Sequence, residues 1–157
     1  MTQPRDVPIT AEGLAQVRQE LEVLVGTRRP EIVAKIKAAR EHGDLSENFE
    51  YHAARNEQSF IEARIQELEA IVKNHVIIES RASNGRVDLL STVTFAEAGE
   101  PEETYRIVGP TETDPGAGRI SYESAIGRAL LGHRAGDEVE VRAPAGRRYT
   151  VRILKVE

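Results

Sequence analysis

"RRPEIVAKIKAAREHGDLSENFEYHAARNEQSFIEARIQELEA", residues 28–70, carries two apolar seams of helical period on either side of a short acidic stretch that contains a glycine. Upstream, Ile32, Ile36 and Ala39 continue a stripe begun by Leu14, Val17, Leu21 and Leu24. Downstream, Ile61, Ile65, Leu68 and Val72 form a heptad seam that can be traced back through Gln58, Ala54 and Tyr51. Steps of three and four place side chains on one face of a helix, so two such faces flanking a turn at Gly43 predict an antiparallel helical hairpin. From residue 10 to about residue 75 the chain is also rich in strong helix formers.

Pro30 removes one intrahelical hydrogen bond and crowds the preceding turn, which predicts a kink or short break between Gly26 and Pro30. Alanines gather near the turn (Ala34, Ala38, Ala39, Ala53, Ala54), so the helices can approach closely there and the far end is slender. With about 30 residues per helix at ~1.5 Å of rise each, the arm reaches roughly 45 Å.

Beyond Glu79 the stretch SRASNGR reads as a linker, and the hydrophobic period changes to two. VTF, ETYRIVG, RISYES, DEVEVRAP and RRYTVRILKVE read as short strands punctuated by Gly, Pro and Asp, with a short helix from Ile126 to Gly132. The expected class is therefore α+β, a long helical hairpin over residues 1–79 followed by a small antiparallel-sheet domain over residues 80–157. Phe95, Tyr105, Tyr122 and Tyr149 fall one per element, the pattern of core or cross-strand packing rather than of a base-stacking platform. No concentrated aromatic pocket is legible.

The chain of 157 residues has no cysteine, which excludes disulfides and thiolate metal sites. No apolar run approaches a membrane span, and the amino terminus lacks the layout of a secretory signal, so no membrane role and a cytoplasmic location are expected. Its net charge is −5; residues 1–80 carry 10 basic and 14 acidic side chains, residues 81–157 carry 11 and 12. Neither half is a basic module, so any nucleic-acid contact must be local rather than a counterion-displacing coat. No phosphate loop, nucleophile elbow or HExxH occurs.

Asp44 and Glu47, at the turn, have the spacing of a capping box that follows a terminating glycine, Gly43. A cap uses only one or two of a carboxylate's four or so lone-pair sites, so the same oxygens can also serve Mg²⁺, which often takes one or two protein carboxylates and fills the rest from water or phosphate. Such a site is weak alone and matters where another molecule supplies the remaining ligands.

Residues 28–70, and above all GDLSEN followed by EYHAAR, resemble the arm of the GreA/GreB family of bacterial transcript cleavage factors. ETYRIVG, ISYESAIGRALLGHRAGDEVEVRAP and the closing strand resemble that family's carboxyl-terminal domain. The resemblance implies a coiled-coil finger and an FKBP-like domain that bind RNA polymerase at its secondary channel. It also implies that Asp44 and Glu47 match the tip carboxylates that help hold the second Mg²⁺ of the polymerase active centre, where the backtracked RNA 3′ end is hydrolysed. On that reading the chain is a cofactor of the polymerase, not an enzyme, and acts as a monomer.

Around the tip, Arg40 and Arg55 are candidates for RNA phosphate contacts, set against the alternative of exposed charges in i,i+4 pairs. Ser46 is a third candidate for nucleic-acid contact; it either tunes the tip by hydrogen bonding or is an ordinary early-helix residue. Tyr51 fits the narrow seam better than a role in orienting tip groups, and His42 and His52 read as surface residues. Phe49 stands where the family has alanine. The functional alternative is a channel occupant of the same fold that inhibits polymerase without cleavage.

Overall fold

The computed structural model describes residues 6–43, 47–80 and 84–157. Two compact units make up the chain, residues 12–75 and residues 6–11 with 76–157.

In the first unit, α1 (Ala11–Val23) runs through a π-helical turn (Leu24–Arg28) into α2 (Arg29–Arg40), and after the turn α3 (Phe49–Asn74) returns against them. The irregularity foreseen at Gly26 to Pro30 takes the form of that wide turn, and helical bonding does not break. Arg29 N–H reaches Leu24 O, five residues back, so the wider ring passes over the position where Pro30 lacks a donor and where its ring would crowd an α-helical turn. Ile32, Ile36, Ala54, Ile61 and Ile65 are buried between the helices, with Leu21, Leu24 and Tyr51 packed against them. Ala39 and Leu68 are buried as well, and on α3 Ile71 is buried next to a half-buried Val72, a one-residue drift from the expected seam.

Two forked ion pairs lock the register of the hairpin. Arg29 donates from Nε and Nη2 to the two carboxylate oxygens of Glu62 at 2.8 and 2.9 Å, and Arg64 grips Glu20 in the same way at 2.8 and 3.0 Å. Such exposed pairs add little stability, but a one-residue slip would lose both forks while also exposing the isoleucines, each worth about 1.5–3 kcal/mol of burial.

The second unit holds a five-stranded sheet in the order β5 (Arg119–Ser121), β4 (Glu103–Val108), β3 (Thr92–Glu97), β7 (Arg148–Val156), β6 (Glu138–Arg142). All neighbours are antiparallel except β4 and β5, which run parallel because two 3₁₀ turns, Pro110–Glu112 and Pro115–Ala117, carry the chain back across the edge. Alternation along β3, β6 and β7 puts Val93, Phe95, Val139, Val141, Val151 and Ile153 on one face, where α4 (Ala125–Leu130) adds Leu130. A short β1 (Val7–Ile9) pairs with β2 (His75–Ile77), and the backbone N–H and hydroxyl of Thr10 donate to the carboxylate of Glu112. Gly109 is required here, since a Cβ on it would lie 2.2 Å from Pro8 O.

Phe95 lies in the core of this unit with Tyr105, Tyr122 and Tyr149 packed against it, as expected, but the reading that no aromatic pocket gathers is corrected. Phe95, Tyr105 and Tyr149 line a single cavity, because β7 joins the consecutive strands β3 and β4 in the sheet although it is distant from both in sequence. Residues spaced one per strand looked scattered only because strand order is invisible in local sequence.

Candidate functional site

The turn between α2 and α3 begins where Glu41 caps α2 in helical geometry, followed by backbone bonds from His42 N–H to Ala39 O and from Gly43 N–H to Arg40 O, both 3.3 Å. Gly43 takes φ +104°, a left-handed conformation open to glycine at little cost, and this ends the helix.

The start of α3 corrects the capping-box reading. Its N-cap is Asn48, in extended geometry, with Oδ1 accepting from Tyr51 N–H at 3.0 Å. Asn48 Nδ2 also donates to Ala39 O at 2.7 Å, so one side chain both caps α3 and ties it to the last turn of α2. Glu47 therefore precedes the cap and does not occupy the third helical position. Its carboxylate is exposed and has no hydrogen-bond or ion-pair partner among the described residues. Asp44 and Ser46 lie outside the described residues. Asn48 is a favoured N-cap type, but so is Asp44, and residue type alone does not choose between them.

Of the other candidates, Arg40 is the last residue of α2, with its guanidinium 5.8 Å from the centre of the Tyr51 ring. Arg55, one turn along α3 from Tyr51, donates from Nη1 to Gln58 Oε1 at 3.1 Å. Neither has a carboxylate partner among the described residues, whereas Arg28, Arg29, Lys35 and Arg64 on the same hairpin are all paired with glutamates. Arg55 has no carboxylate at i,i+4, and for Arg40 the acidic residue at that spacing, Asp44, lies outside the described residues. Tyr51 is half-buried against the hairpin core, as the seam reading expects, with His52 edge-on at 5.5 Å. His42 and His52 are exposed, and Phe49, the first residue of α3, is 88% exposed.

The donor chemistry fits a hard divalent cation, since carboxylate oxygen is the ligand type Mg²⁺ takes. No group of three or more His, Cys, Asp or Glu able to hold a metal gathers among the described residues. A lone carboxylate of this kind supplies only part of a coordination shell. No helix among the described residues is long and apolar enough to cross a membrane.

Comparison with known proteins agrees across both units. The family model "Transcription elongation factor, N-terminal" matches residues 7–77, and "Transcription elongation factor, GreA/GreB, C-term" matches residues 82–157. Transcription elongation factor GreA of Macrococcus caseolyticus is 48% identical over 157 residues, covering 99% of each chain. The protein of the same name from Thermomicrobium roseum is 52% identical over 153 residues, covering 96% of this chain and 97% of its own. Among solved structures, the transcription factor Gfh1 is 31% identical over 99% of each chain, with a TM-score of 0.48. With both of its units matched and about half its residues identical to relatives that it covers almost end to end, the chain belongs to the GreA/GreB family of transcription elongation factors.

Proposed function

We propose that this elongation factor binds RNA polymerase in the secondary channel and, with Asp44 and Glu47, supports the polymerase's own hydrolysis of a backtracked RNA 3′ end. The observation that carries this is the state of Glu47: exposed, unpartnered among the described residues, and relieved of any capping duty by Asn48. A carboxylate spent on a helix cap would have fewer oxygens to offer. Family membership and the GDLSEN stretch support the same reading.

When bound, Mg²⁺ supplies charge stabilisation for the attacking and leaving oxygens of the phosphodiester. Asp44 and Glu47 donate oxygens toward that ion, which is shared with the polymerase active centre and not held tightly by this chain alone. Asn48 fixes where α3 starts and so sets the position of Glu47 one residue before it. Arg40 and Arg55, without carboxylate partners among the described residues, meet RNA phosphates by charge-assisted bonds, and Ser46 is a further candidate for contact with the RNA. The chain is a cofactor of a reaction whose catalytic pocket belongs to the polymerase, and it acts as a monomer in the cytoplasm.

The test is a stalled, backtracked polymerase carrying end-labelled RNA, challenged with the wild-type chain and with the double variant Asp44→Asn, Glu47→Gln. Wild type should stimulate cleavage, and the variant should bind polymerase but lose stimulation by about 100-fold or more, the scale of several kcal/mol of metal-assisted stabilisation. Undiminished cleavage by the variant would remove the metal role. Slowed elongation without cleavage by the wild type would instead make the chain a channel-occupying inhibitor.

A further inference from the structure

The sheet face that builds the core of the second unit continues beyond it. Phe95 stands opposite Glu103, Val93 opposite Tyr105, Glu97 opposite Val151 and Val141 opposite Tyr149, so Glu97, Glu103, Tyr105 and Tyr149 all project from the face that buries Val93 and Val151. There the face opens into a cavity of about 610 Å³, with Glu100 and Arg147 at its rim. Its floor is aromatic: Phe95 is buried and stacks on Tyr105, ring centres 5.9 Å apart and planes 25° from parallel.

The electrostatics of this cavity are one-sided. Three carboxylates, Glu97, Glu100 and Glu103, face one guanidinium, that of Arg147. The Tyr149 hydroxyl is held above its ordinary range, first by burial and then by Glu97, with Glu103 adding and Arg147 opposing. A cavity with aromatic walls and an acidic rim selects a flat, weakly hydrated cation, which can stack and pair at once, over a compact ammonium.

The chain itself displays the preferred ligand. The Arg147 guanidinium lies 5.4 Å from the centre of the Tyr149 ring and 3.9 Å from Glu97, yet its side chain is 71% exposed. A long ion pair on an exposed side chain is loosely held, and an arginine arriving from outside, with no loop to bend, can displace it. We propose that this cavity binds an arginine side chain presented by a partner protein, stacked on Tyr149 and paired with Glu97 and Glu103 in the place that Arg147 now holds. The site is remote in sequence from the acidic turn and does not depend on the reading of Asp44 and Glu47.

The test is an NMR titration of the full-length ¹⁵N-labelled chain with N-acetyl-arginine N-methylamide, alongside its citrulline and lysine counterparts. Arginine should give saturable shifts confined to residues around Phe95, Tyr105, Arg147 and Tyr149, and isosteric, neutral citrulline should give none. Glu97→Gln with Glu103→Gln should weaken binding by about fivefold or more, and Arg147→Ala should tighten it, with spectra elsewhere unchanged. Shifts that fail to saturate or to localise, equal binding of citrulline or lysine, or indifference to both variants would each overturn the assignment.

Discussion

The side-chain amide of Asn48 donates to the carbonyl oxygen of Ala39 at 2.7 Å, joining the start of α3 to the end of α2 across the acidic turn. The same side chain caps α3 by accepting from Tyr51 N–H, and its amide adds a donor to Ala39 O, which also accepts from His42 N–H, so one residue serves both adjacent helix ends.

Asn48→Ala should therefore cost about 1–2 kcal/mol of stability, the sum of a lost cap and a lost side-chain bond. Asn48→Asp keeps the acceptor for Tyr51 N–H but loses the donor to Ala39, so it should fall between wild type and alanine. Urea denaturation followed by circular dichroism checks this order. An alanine variant as stable as wild type would mean that neither bond matters in solution.

Glu47→Ala and Phe49→Ala should each change stability by less than about 0.5 kcal/mol, because Glu47 has no partner among the described residues and Phe49 is 88% exposed. A loss near 1 kcal/mol for Glu47→Ala would restore the capping box. With folding untouched, any change that Phe49→Ala produces in transcript cleavage reports contact with the polymerase complex.

The hairpin was readable in sequence because its buried residues repeat at helical spacing, and Ile32, Ile36, Ile61, Ile65 and Leu68 are all buried as that spacing requires. The choice among Asp44, Glu47 and Asn48 at the turn was not, since aspartate and asparagine both cap well and a bond to Ala39, nine residues back, selects the third. Strands were legible one at a time through their alternation. Their order was not, and so neither the parallel β4–β5 edge nor the convergence of Phe95, Tyr105 and Tyr149 could be seen.

The forked pairs give a pH dependence of definite sign. Arg64 holds the Glu20 carboxyl below its ordinary value of 4.5, chiefly by hydrogen bonding and against a smaller desolvation effect, and Arg29 does the same to Glu62. A carboxyl lowered in the folded state adds stability that is fully present above the unfolded value and is lost as pH falls through the folded one. Between pH 6 and pH 3 the wild type should thus lose more stability than Glu20→Gln. The difference should stay under about 1 kcal/mol because the pair is nearly half exposed, and shrink in 1 M salt. Parallel urea midpoints for the two proteins across that range would contradict the assignment.

Gly127 tests packing against propensity. It lies within α4, where alanine would ordinarily stabilise by about 1 kcal/mol. Here a Cβ would sit 2.2 Å from Ser121 O and 3.0 Å from both Ser124 Oγ and Tyr122 Cα. These atoms form the turn that caps the helix, with Ser124 Oγ donating to Ser121 O at 2.6 Å and accepting from Gly127 N–H at 3.1 Å. Room for a methyl group must come from backbone, so Gly127→Ala should destabilise by about 1–3 kcal/mol despite the better helix former. Ser124→Ala alone should cost about 1 kcal/mol, and the double variant less than the sum of the two, since both damage one cap. A raised melting temperature for Gly127→Ala would mean that the turn from Ser121 to Ser124 yields freely, and that helix propensity, not close packing, decides this position.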